Sequence, residues 1–150
     1  MISDRLKQLG IELPALFPPA GNYLGCVVVG NVVHVGGHGP IDAANVVRGK
    51  VGRDLTLEDA QRAARMTGLS LLATLEAELG TLDRIVRIVK VFGMVNVAPG
   101  FNQMPSVIDG CSDLLVEIFG DAGRHTRSAV GLAELPFDIA VEIELTALIN

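Results

Sequence analysis

Arg127 is the residue whose surroundings in the sequence point most directly to ligand chemistry. It begins the small and apolar run RSAVGLA at residues 127–133. A guanidinium stays protonated in proteins and is costly to bury alone, so Arg127 requires an anionic partner. That partner is either a carboxylate of the protein or the carboxylate of a ligand, which the planar guanidinium can bind through two hydrogen bonds.

Two glutamates occupy alternating positions in the apolar stretch that follows. Glu142 and Glu144 point to one side of a predicted strand, and Val141, Ile143 and Leu145 point to the other. A carboxyl group whose pKa is raised by burial can position a water molecule and transfer a proton near neutral pH. An ion pair with Arg127 across a subunit interface is an equally weighted alternative, so the pattern leaves catalysis and structural pairing open.

A glycine-rich segment around His38 is a second candidate. In GGHGP, residues 36–40, the glycines would let backbone N–H groups approach a ligand closely. They could equally shape only a β-bulge or a turn, and the spacing slightly favours this structural interpretation.

The remaining histidines give no sign of a catalytic or metal site. His34 lies in a strand pattern and is expected to be a packed or hydrogen-bonded imidazole, and His125 with Arg124 and Arg127 is expected to form a small, solvated basic cluster. No histidine has metal-ligand spacing, and the serine-histidine-aspartate, phosphate-loop and dinucleotide motifs do not occur. We therefore expect neither a metal nor a cofactor.

The composition suggests a chain that buries surface against copies of itself. The 150 residues are 49% hydrophobic and 19% charged, with a mean hydropathy of +0.44, which is apolar for a monomer. A net charge of −5, one Tyr and no Trp argue against nucleic-acid binding, which usually requires a basic surface with aromatic platforms.

The termini and cysteines suggest a cytoplasmic protein. No apolar run approaches the roughly 18–20 residues of a membrane helix, and residues 1–10 carry charges where an export signal has its apolar region. Cys26 and Cys111 are isolated, so we expect two small buried thiols and no disulfide.

The hydrophobic periodicity predicts one domain, residues 1–150, with an α+β fold. An N-terminal helix and a Pro-rich lead occupy residues 1–20, and a hairpin turning at Gly30 and Asn31 follows. A loop with at most one short edge strand is predicted at residues 37–52, and a long helix at 56–80. A long strand follows at 84–97, a second helix at 105–119, and two closing strands at 126–149. Both faces of the long strand are apolar, which predicts a mixed sheet with helices on one face and a partner subunit on the other.

Residues 126–148, TRSAVGLAELPFDIAVEIELTAL, resemble the signature of the reactive intermediate deaminase (Rid) family, also called YjgF-like or L-PSP endoribonuclease proteins. The signature is Arg-Ser, a small apolar strand, Leu-Pro, and a strand with Glu-x-Glu. The resemblance extends to GNYLG at residues 21–25, to VVHVGGHGP at 32–40 and to the long helix, and covers the chain after about residue 20. It implies a chorismate-mutase-like fold and homotrimers with sites between subunits.

The resemblance also implies an activity, the hydrolysis of enamine and imine acids such as 2-aminoacrylate to 2-keto acids and ammonia. Arg127 matches the arginine that holds the substrate carboxylate, and Glu142 the glutamate associated with the attacking water. Tyr23 matches a tyrosine lining the cleft and Gly37 a glycine whose backbone helps to bind the ligand. Asp109 stands where many members have Asn.

Other departures and alternatives follow from the same comparison. His38 stands where short members commonly have Gln, and Ala129 where some have Cys, so the chain looks like a member of a longer branch.

A trimer that binds a small carboxylate or a partner protein without catalysis is the second hypothesis. Endoribonuclease activity, after the older family name, is the third, and the negative net charge argues against it.

Overall fold

The computed structural model describes residues 1–150 and contains three helices and five strands. In chain order these are α1 (Ile2–Leu9), β1 (Cys26–Val29), β2 (Val32–His38), α2 (Leu57–Leu79), β3 (Ile85–Asn96), α3 (Met104–Phe119), β4 (Thr126–Leu132) and β5 (Val141–Ile149). The strands form one mixed sheet in the order β1-β2-β5-β3-β4, in which only β3 and β4 are parallel. This confirms the predicted α+β architecture.

The long helix α2 begins and ends where its capping residues predict. The Thr56 hydroxyl accepts a hydrogen bond from the Asp59 backbone N–H at 3.1 Å, and the Asp59 carboxylate accepts one from the Thr56 N–H at 3.1 Å. This capping box satisfies two backbone donors at the start of the helix. Gly80 follows the last turn with φ 80°, a left-handed conformation that glycine adopts without strain.

Helices α2 and α3 approach each other closely because small residues line their contact. A Cβ atom added to Gly68 of α2 would lie 2.9 Å from Leu114 Cδ2 and 3.1 Å from Cys111 Sγ of α3. A Cβ atom at Gly110 would overlap the backbone carbonyl of Gln61. Both positions therefore require glycine, and the two helices form one tight layer over the sheet.

The sheet has one covered face and one open face. Alternate residues of β5, Val141, Ile143, Leu145, Ala147 and Ile149, are buried against the helices. On the open face the large apolar side chains of Val27, Val29 and Val130 are exposed. The helices therefore cover one face only, as the sequence predicts.

Residues 37–52 contain no strand beyond the end of β2, so the segment is a loop, as predicted, and the short edge strand that the prediction allowed does not form. Only isolated bridges occur there, between Ile41 and Val46 and at Arg48 and Val51. The backbone of Val51 instead exchanges hydrogen bonds with the segment after β3, and the flanking glycines 49 and 52 have positive φ angles of 114° and 94°. These turns prevent a continuous extended run.

The predictions for the hairpin and the cysteines are confirmed. Gly30 turns β1 into β2 with φ 61°. Cys26 and Cys111 are buried free thiols.

None of the three helices combines the length and apolar character required to cross a bilayer.

Candidate functional site

A cavity of 370 Å³ lies where β1 begins, β2 ends and β5 begins. Four of the residues singled out in the sequence line it, namely Tyr23, Gly37, His38 and Glu142. The N-terminal lead and α2 provide two further walls, and most of the lining is apolar. The structure thus brings part of the predicted site together within one chain.

Glu142 is the only charged side chain in the lining of this cavity. It projects from the open face of the sheet, beside Met94 of β3, and makes no hydrogen bond within the chain. Burial raises the pKa of its carboxyl group, and the negative charge of Glu144 two residues further along raises it again. A carboxyl group with a raised pKa is a better proton donor in its neutral form and a stronger base in its ionised form than an ordinary surface carboxyl group.

Gly37 leaves the space that the Glu142 side chain occupies. A Cβ atom at Gly37 would lie 2.8 Å from Glu142 Oε1 and 2.9 Å from its Cδ. The pairing of β2 with β5 shifts register between Val35 and His38, so a bulge includes Gly37. The glycines therefore shape a bulge, and this bulge places the backbone of β2 directly against the carboxylate.

His38 has both ring nitrogens engaged by protein groups. Its Nδ1 lies 2.8 Å from the Gly36 carbonyl oxygen and its Nε2 lies 2.7 Å from Thr74 Oγ1 on α2. Burial lowers the pKa of the imidazole, while the bond to the Gly36 carbonyl opposes this shift. A neutral ring with Nδ1–H donating to the carbonyl and Nε2 accepting from Thr74 satisfies both contacts. His38 therefore ties the glycine bulge to α2.

Tyr23 lies on an exposed loop of the N-terminal lead. Its hydroxyl oxygen accepts a hydrogen bond from the Ala20 N–H at 3.1 Å, and the Gly21 carbonyl accepts one from the Tyr23 N–H at 3.0 Å. These bonds close a compact turn directly after Pro18 and Pro19. The turn places the tyrosine ring on one wall of the cavity.

The opposite wall includes a strained turn that the sequence analysis did not identify. Phe137 and Asp138 have φ angles of 58° and 56°, the only non-glycine residues of the chain with positive φ. The Asp138 carboxylate accepts a hydrogen bond from Asn96 Nδ2 at 2.9 Å, and its backbone carbonyl accepts one from the Gly49 N–H at 2.8 Å. The Leu-Pro pair before the turn signals a chain reversal, but no local pattern signals the left-handed Phe137.

Arg127 is paired with residues of its own chain and lies outside the cavity. Its Nη1 donates hydrogen bonds to Asp109 Oδ1 at 2.8 Å and to Ser112 Oγ at 3.2 Å, both on α3. Its side chain is only 22% exposed, whereas that of Asp109 is 49% exposed. In the isolated chain, the anionic partner of Arg127 is therefore the Asp109 carboxylate of the same chain.

His125 extends this cluster in a way that corrects the sequence analysis. Its Nε2 lies 2.9 Å from Ser112 Oγ and its Nδ1 lies 2.6 Å from the Gly123 carbonyl oxygen. Burial lowers the pKa of the imidazole, the Gly123 bond raises it, and the nearby Arg127 lowers it further. Arg124 is solvated as predicted, but His125 is a half-buried link to Ser112 and through it to Arg127. His34 is exposed on the open face, and its Nδ1 lies 3.4 Å from Thr146 Oγ1, so its ring is hydrogen-bonded, one of the two predicted alternatives, and is not packed.

Arg127 and Glu142 do not face the same space within one chain. Arg127 pairs with Val91 and points toward α3, while Glu142 pairs with Met94 and points to the open face. The prediction that Glu142 lies across one pocket from Arg127 at a subunit interface therefore stays a prediction, because within one chain the two side chains do not meet. Two chains are required to bring an Arg127 and a Glu142 onto one ligand.

The cavity has neither a metal-binding group of side chains nor a cationic side chain. The structure contains no group of three or more His, Cys, Asp or Glu side chains that could hold a metal ion. Among the 21 residues that line the cavity, none is Lys or Arg. The cavity is thus an apolar space with one carboxyl group and a glycine-rich backbone at its polar end.

This α+β architecture, a five-stranded mixed sheet with its helices on one face, is the chorismate-mutase-like fold that the sequence resemblance predicted. The profile of the family described as "YjgF/chorismate_mutase-like, putative endoribonuclease" matches residues 3–147. The chain belongs to this YjgF/chorismate-mutase-like family.

Three similar proteins support the assignment along the full length of the chain. Protein TCP17 of Trypanosoma cruzi is 41% identical over 99% of this chain and 94% of its own length. The crystal structure of Atu1372 from Agrobacterium tumefaciens, described as of unknown function, is 40% identical with a TM-score of 0.91, covering 99% of this chain and 92% of the other. A Shewanella oneidensis MR-1 structure described as a putative endoribonuclease is 33% identical, with a TM-score of 0.95 and 99% coverage of both chains.

Proposed function

We propose that the protein hydrolyses reactive imine and enamine acids to 2-keto acids and ammonia. The observation that carries this proposal is Glu142, an unpaired carboxyl group with a raised pKa at the polar end of an apolar cavity. An imine carbon is already electrophilic, so the reaction requires a positioned water and the management of one proton. A carboxyl group with a raised pKa, such as Glu142, suits both tasks.

Glu142 is the only protein side chain that transfers protons in the proposed hydrolysis. The carboxylate takes a proton from water as the water oxygen bonds to C2 of the imine, and the C=N double bond becomes a single bond. Proton transfer from the carboxylic acid and the new hydroxyl to nitrogen then allows the C–N bond to break. The products are a C2 ketone and ammonia, and Glu142 returns to its starting state. An enamine enters the same sequence after it takes up a proton at C3 and loses one from nitrogen, which converts it to the imine.

Arg127 supplies the second group in this proposal, as the clamp for the substrate carboxylate. Its guanidinium uses Nη1 for Asp109 and Ser112, which leaves its remaining donors for a ligand. Because Arg127 and Glu142 face different sides of one sheet, the complete site requires a second copy of the chain. A homotrimer, which the family resemblance implies, would provide three such sites, and the exposed valines of the open face favour association.

The test uses imines generated in place by an amino-acid oxidase with catalase, and follows formation of the 2-keto acid in competition with semicarbazide. We expect the wild-type protein to accelerate hydrolysis, and Arg127→Ala and Glu142→Gln each to lose about a hundredfold in kcat/KM. Arg127→Lys should lose much of the kcat/KM that Arg127→Ala loses, because lysine retains the positive charge but lacks the planar guanidinium. Arg124→Ala, which removes an exposed arginine three residues away, is the matched control. No acceleration by a folded, oligomeric wild-type protein would refute the proposal.

A binding protein without catalysis is the second candidate, since the cavity can hold a small molecule whether or not it reacts. Carboxylate binding measured by calorimetry, with no turnover of any imine, would favour it. Endoribonuclease activity, named for the Shewanella relative and in the family description, finds less support here. A cavity whose one charged group is a carboxylate repels a phosphodiester.

A further inference from the structure

Phe137 is an exposed aromatic side chain held at the cavity in a strained backbone conformation. Its ring is 72% exposed, although the turn that carries it has two successive non-glycine residues in the left-handed region. That conformation costs free energy for any residue with a Cβ atom, and more for a bulky one. An exposed Phe137 side chain gains little from apolar burial, and its backbone conformation is unfavourable. Neither packing nor backbone preference therefore explains why Phe137 occupies this position.

Three hydrogen bonds hold the turn in this conformation. Asn96 Nδ2 donates to the Asp138 carboxylate at 2.9 Å, the Gly49 N–H donates to the Asp138 carbonyl at 2.8 Å, and Arg48 Nε donates to the Phe137 carbonyl at 3.1 Å. Asn96 is fully buried, so the turn is anchored in the interior of the fold. The aromatic ring is therefore presented at the cavity by a rigid support.

The N-terminal lead presents more exposed apolar side chains to the same cavity. Leu16, Phe17 and Leu24 all line it and are all at least 46% exposed. Pro18 and Pro19 lie between Phe17 and Leu24 in the sequence and restrict the backbone of this segment. Large apolar groups clustered around a concave space, rather than scattered over the surface, are typical of a ligand-binding site.

The polar side chains that line the cavity, apart from Glu142, already bond to groups of the protein. His38 and Thr74 satisfy each other at 2.7 Å, which leaves Glu142 as the charged group available to a ligand. A ligand that fits must therefore be apolar over most of its length and have its reactive or polar group at one end. A three-carbon imino acid would fill only a small part of the 370 Å³.

We infer that the cavity selects imino acids with a large apolar side chain, preferably an aromatic one, with C2 at Glu142 and the side chain against Phe137 and Phe17. This inference rests on the proposed function and specifies its substrate class. Offset or edge-to-face contact between the substrate ring and Phe137 adds to the gain from apolar burial.

A second copy of the chain is the alternative occupant of this apolar surface. Under the proposed function the second copy brings Arg127 to the substrate carboxylate, so a segment of that copy that also filled the cavity would exclude the substrate. A small imino acid brings its own nitrogen to the Glu142 carboxyl group, which favours the ligand.

The experiment compares two imines that differ only in the side chain, generated by D-amino-acid oxidase with catalase from D-alanine and from D-phenylalanine. We expect the wild-type protein to prefer the phenylalanine-derived imine by about tenfold or more in kcat/KM. Phe137→Ala should lose about tenfold with that imine and less than about twofold with the alanine-derived imine. Phe137→Asn, which tolerates a left-handed backbone, removes the ring with less strain and should give the same selectivity. Val86→Ala, an exposed apolar residue outside the cavity, is the matched control.

A second readout separates this inference from the proposed reaction. Calorimetry should show that phenylpyruvate, the keto acid of the aromatic substrate, binds at least about tenfold more tightly than pyruvate, and that Phe137→Asn abolishes the difference. If this selectivity appears without turnover of either imine, the substrate pocket stands and the proposed reaction fails.

Two results would overturn the inference and leave the reaction in place. One is equal turnover of both imines together with equal binding of both keto acids. The other is a change of oligomeric state in Phe137→Asn, measured by light scattering, with unchanged side-chain selectivity. The latter would identify the surface as a contact between subunits.

Discussion

Arg127 and Glu142 lie on opposite faces of one β-sheet. Arg127 of β4 is in register with Val91 and, through it, with Leu145 of β5, three residues along the strand from Glu142. The side chains of Val91 and Leu145 are buried against the helices, whereas Glu142 points away from them. Any ligand that touches both charged groups therefore bridges two chains.

Mixed oligomers of two inactive variants should regain activity. In an assembly refolded from equal amounts of Arg127→Ala and Glu142→Gln chains, random pairing gives about one site in four with both residues intact. We expect imine hydrolysis at about a quarter of the wild-type rate, measured per site with the semicarbazide competition assay.

Each variant refolded alone is the control for this experiment and should remain inactive. Light scattering must show that the mixed sample has the oligomeric state of the wild-type protein. Mixed oligomers with no more activity than their parents would mean that one chain supplies both residues.

Replacing Asp109 by Asn should strengthen carboxylate binding. The Asp109 carboxylate already occupies one edge of the Arg127 guanidinium and repels a second anion there. An Asn side chain can still accept the hydrogen bond from Nη1, so the arginine keeps its orientation. We expect the KM for an imino acid, or the Kd for its keto acid, to fall about threefold to tenfold.

Asp113→Asn makes the same change of charge on an exposed position of α3 that makes no hydrogen bond with its side chain. It should leave binding unchanged. Weaker carboxylate binding by Asp109→Asn than by the wild type would mean that Asp109 acts as a support for Arg127 and does not compete for it.

Substituting Gly37 by Ala should impair turnover more than folding. The new Cβ atom would lie within 3 Å of Glu142 Oε1, the mobile end of a side chain, so the carboxyl group can move aside at little cost in stability. We expect kcat to fall about tenfold or more while the melting temperature changes little.

Gly36→Ala is the matched control, because its Cβ atom would meet its nearest neighbour, the Gly25 carbonyl oxygen, at an ordinary 3.7 Å. Comparable losses of activity in the two variants would show that the bulge as a whole matters, independently of the Glu142 position.

Glu142 should make stability fall as the pH rises. Its pKa in the folded chain is raised by burial and by Glu144, so between the ordinary carboxyl pKa and the raised one the folded state binds more protons than the unfolded state. The free energy of unfolding therefore decreases through that range. Glu142→Gln should melt at the same temperature as the wild type at pH values below the ordinary carboxyl pKa, and above the wild type at neutral pH.

Glu76→Gln, on an exposed position of α2, is the control and should show no such divergence. A Glu142→Gln protein that is less stable than the wild type at neutral pH would indicate a cation contributed by another chain to the Glu142 carboxylate.

The elements with strong periodicity could be predicted from the sequence because their signals are local. The cap at Thr56 and the glycine at position 80 bound α2, and the alternation along residues 141–149 separates the buried side of β5 from the side that carries Glu142. The family resemblance then identified Tyr23, Gly37 and Glu142, and the structure places these three around one cavity.

The missed features depend on contacts between distant segments. Arg127 finds Asp109 and Ser112 eighteen and fifteen residues earlier in the chain, on a helix whose rotation relative to the sheet no local pattern encodes. The conformation of Phe137 likewise depends on bonds from residues 41 and 89 positions away, Asn96 and Arg48. Such long-range bonds outweigh local preference at the positions where function is proposed.

The burial of the two cysteines has a chemical consequence for a protein that would handle electrophiles. Cys111 is completely enclosed between α2 and α3, where burial raises the pKa of its thiol to about 12, and Cys26 is also buried with a raised pKa. Thiolates, the form that adds to activated double bonds, are thereby suppressed in the folded chain. An unsaturated amino acid released from the site would meet no reactive sulfur on the surface, so the folded protein resists covalent damage by the compounds it is proposed to remove.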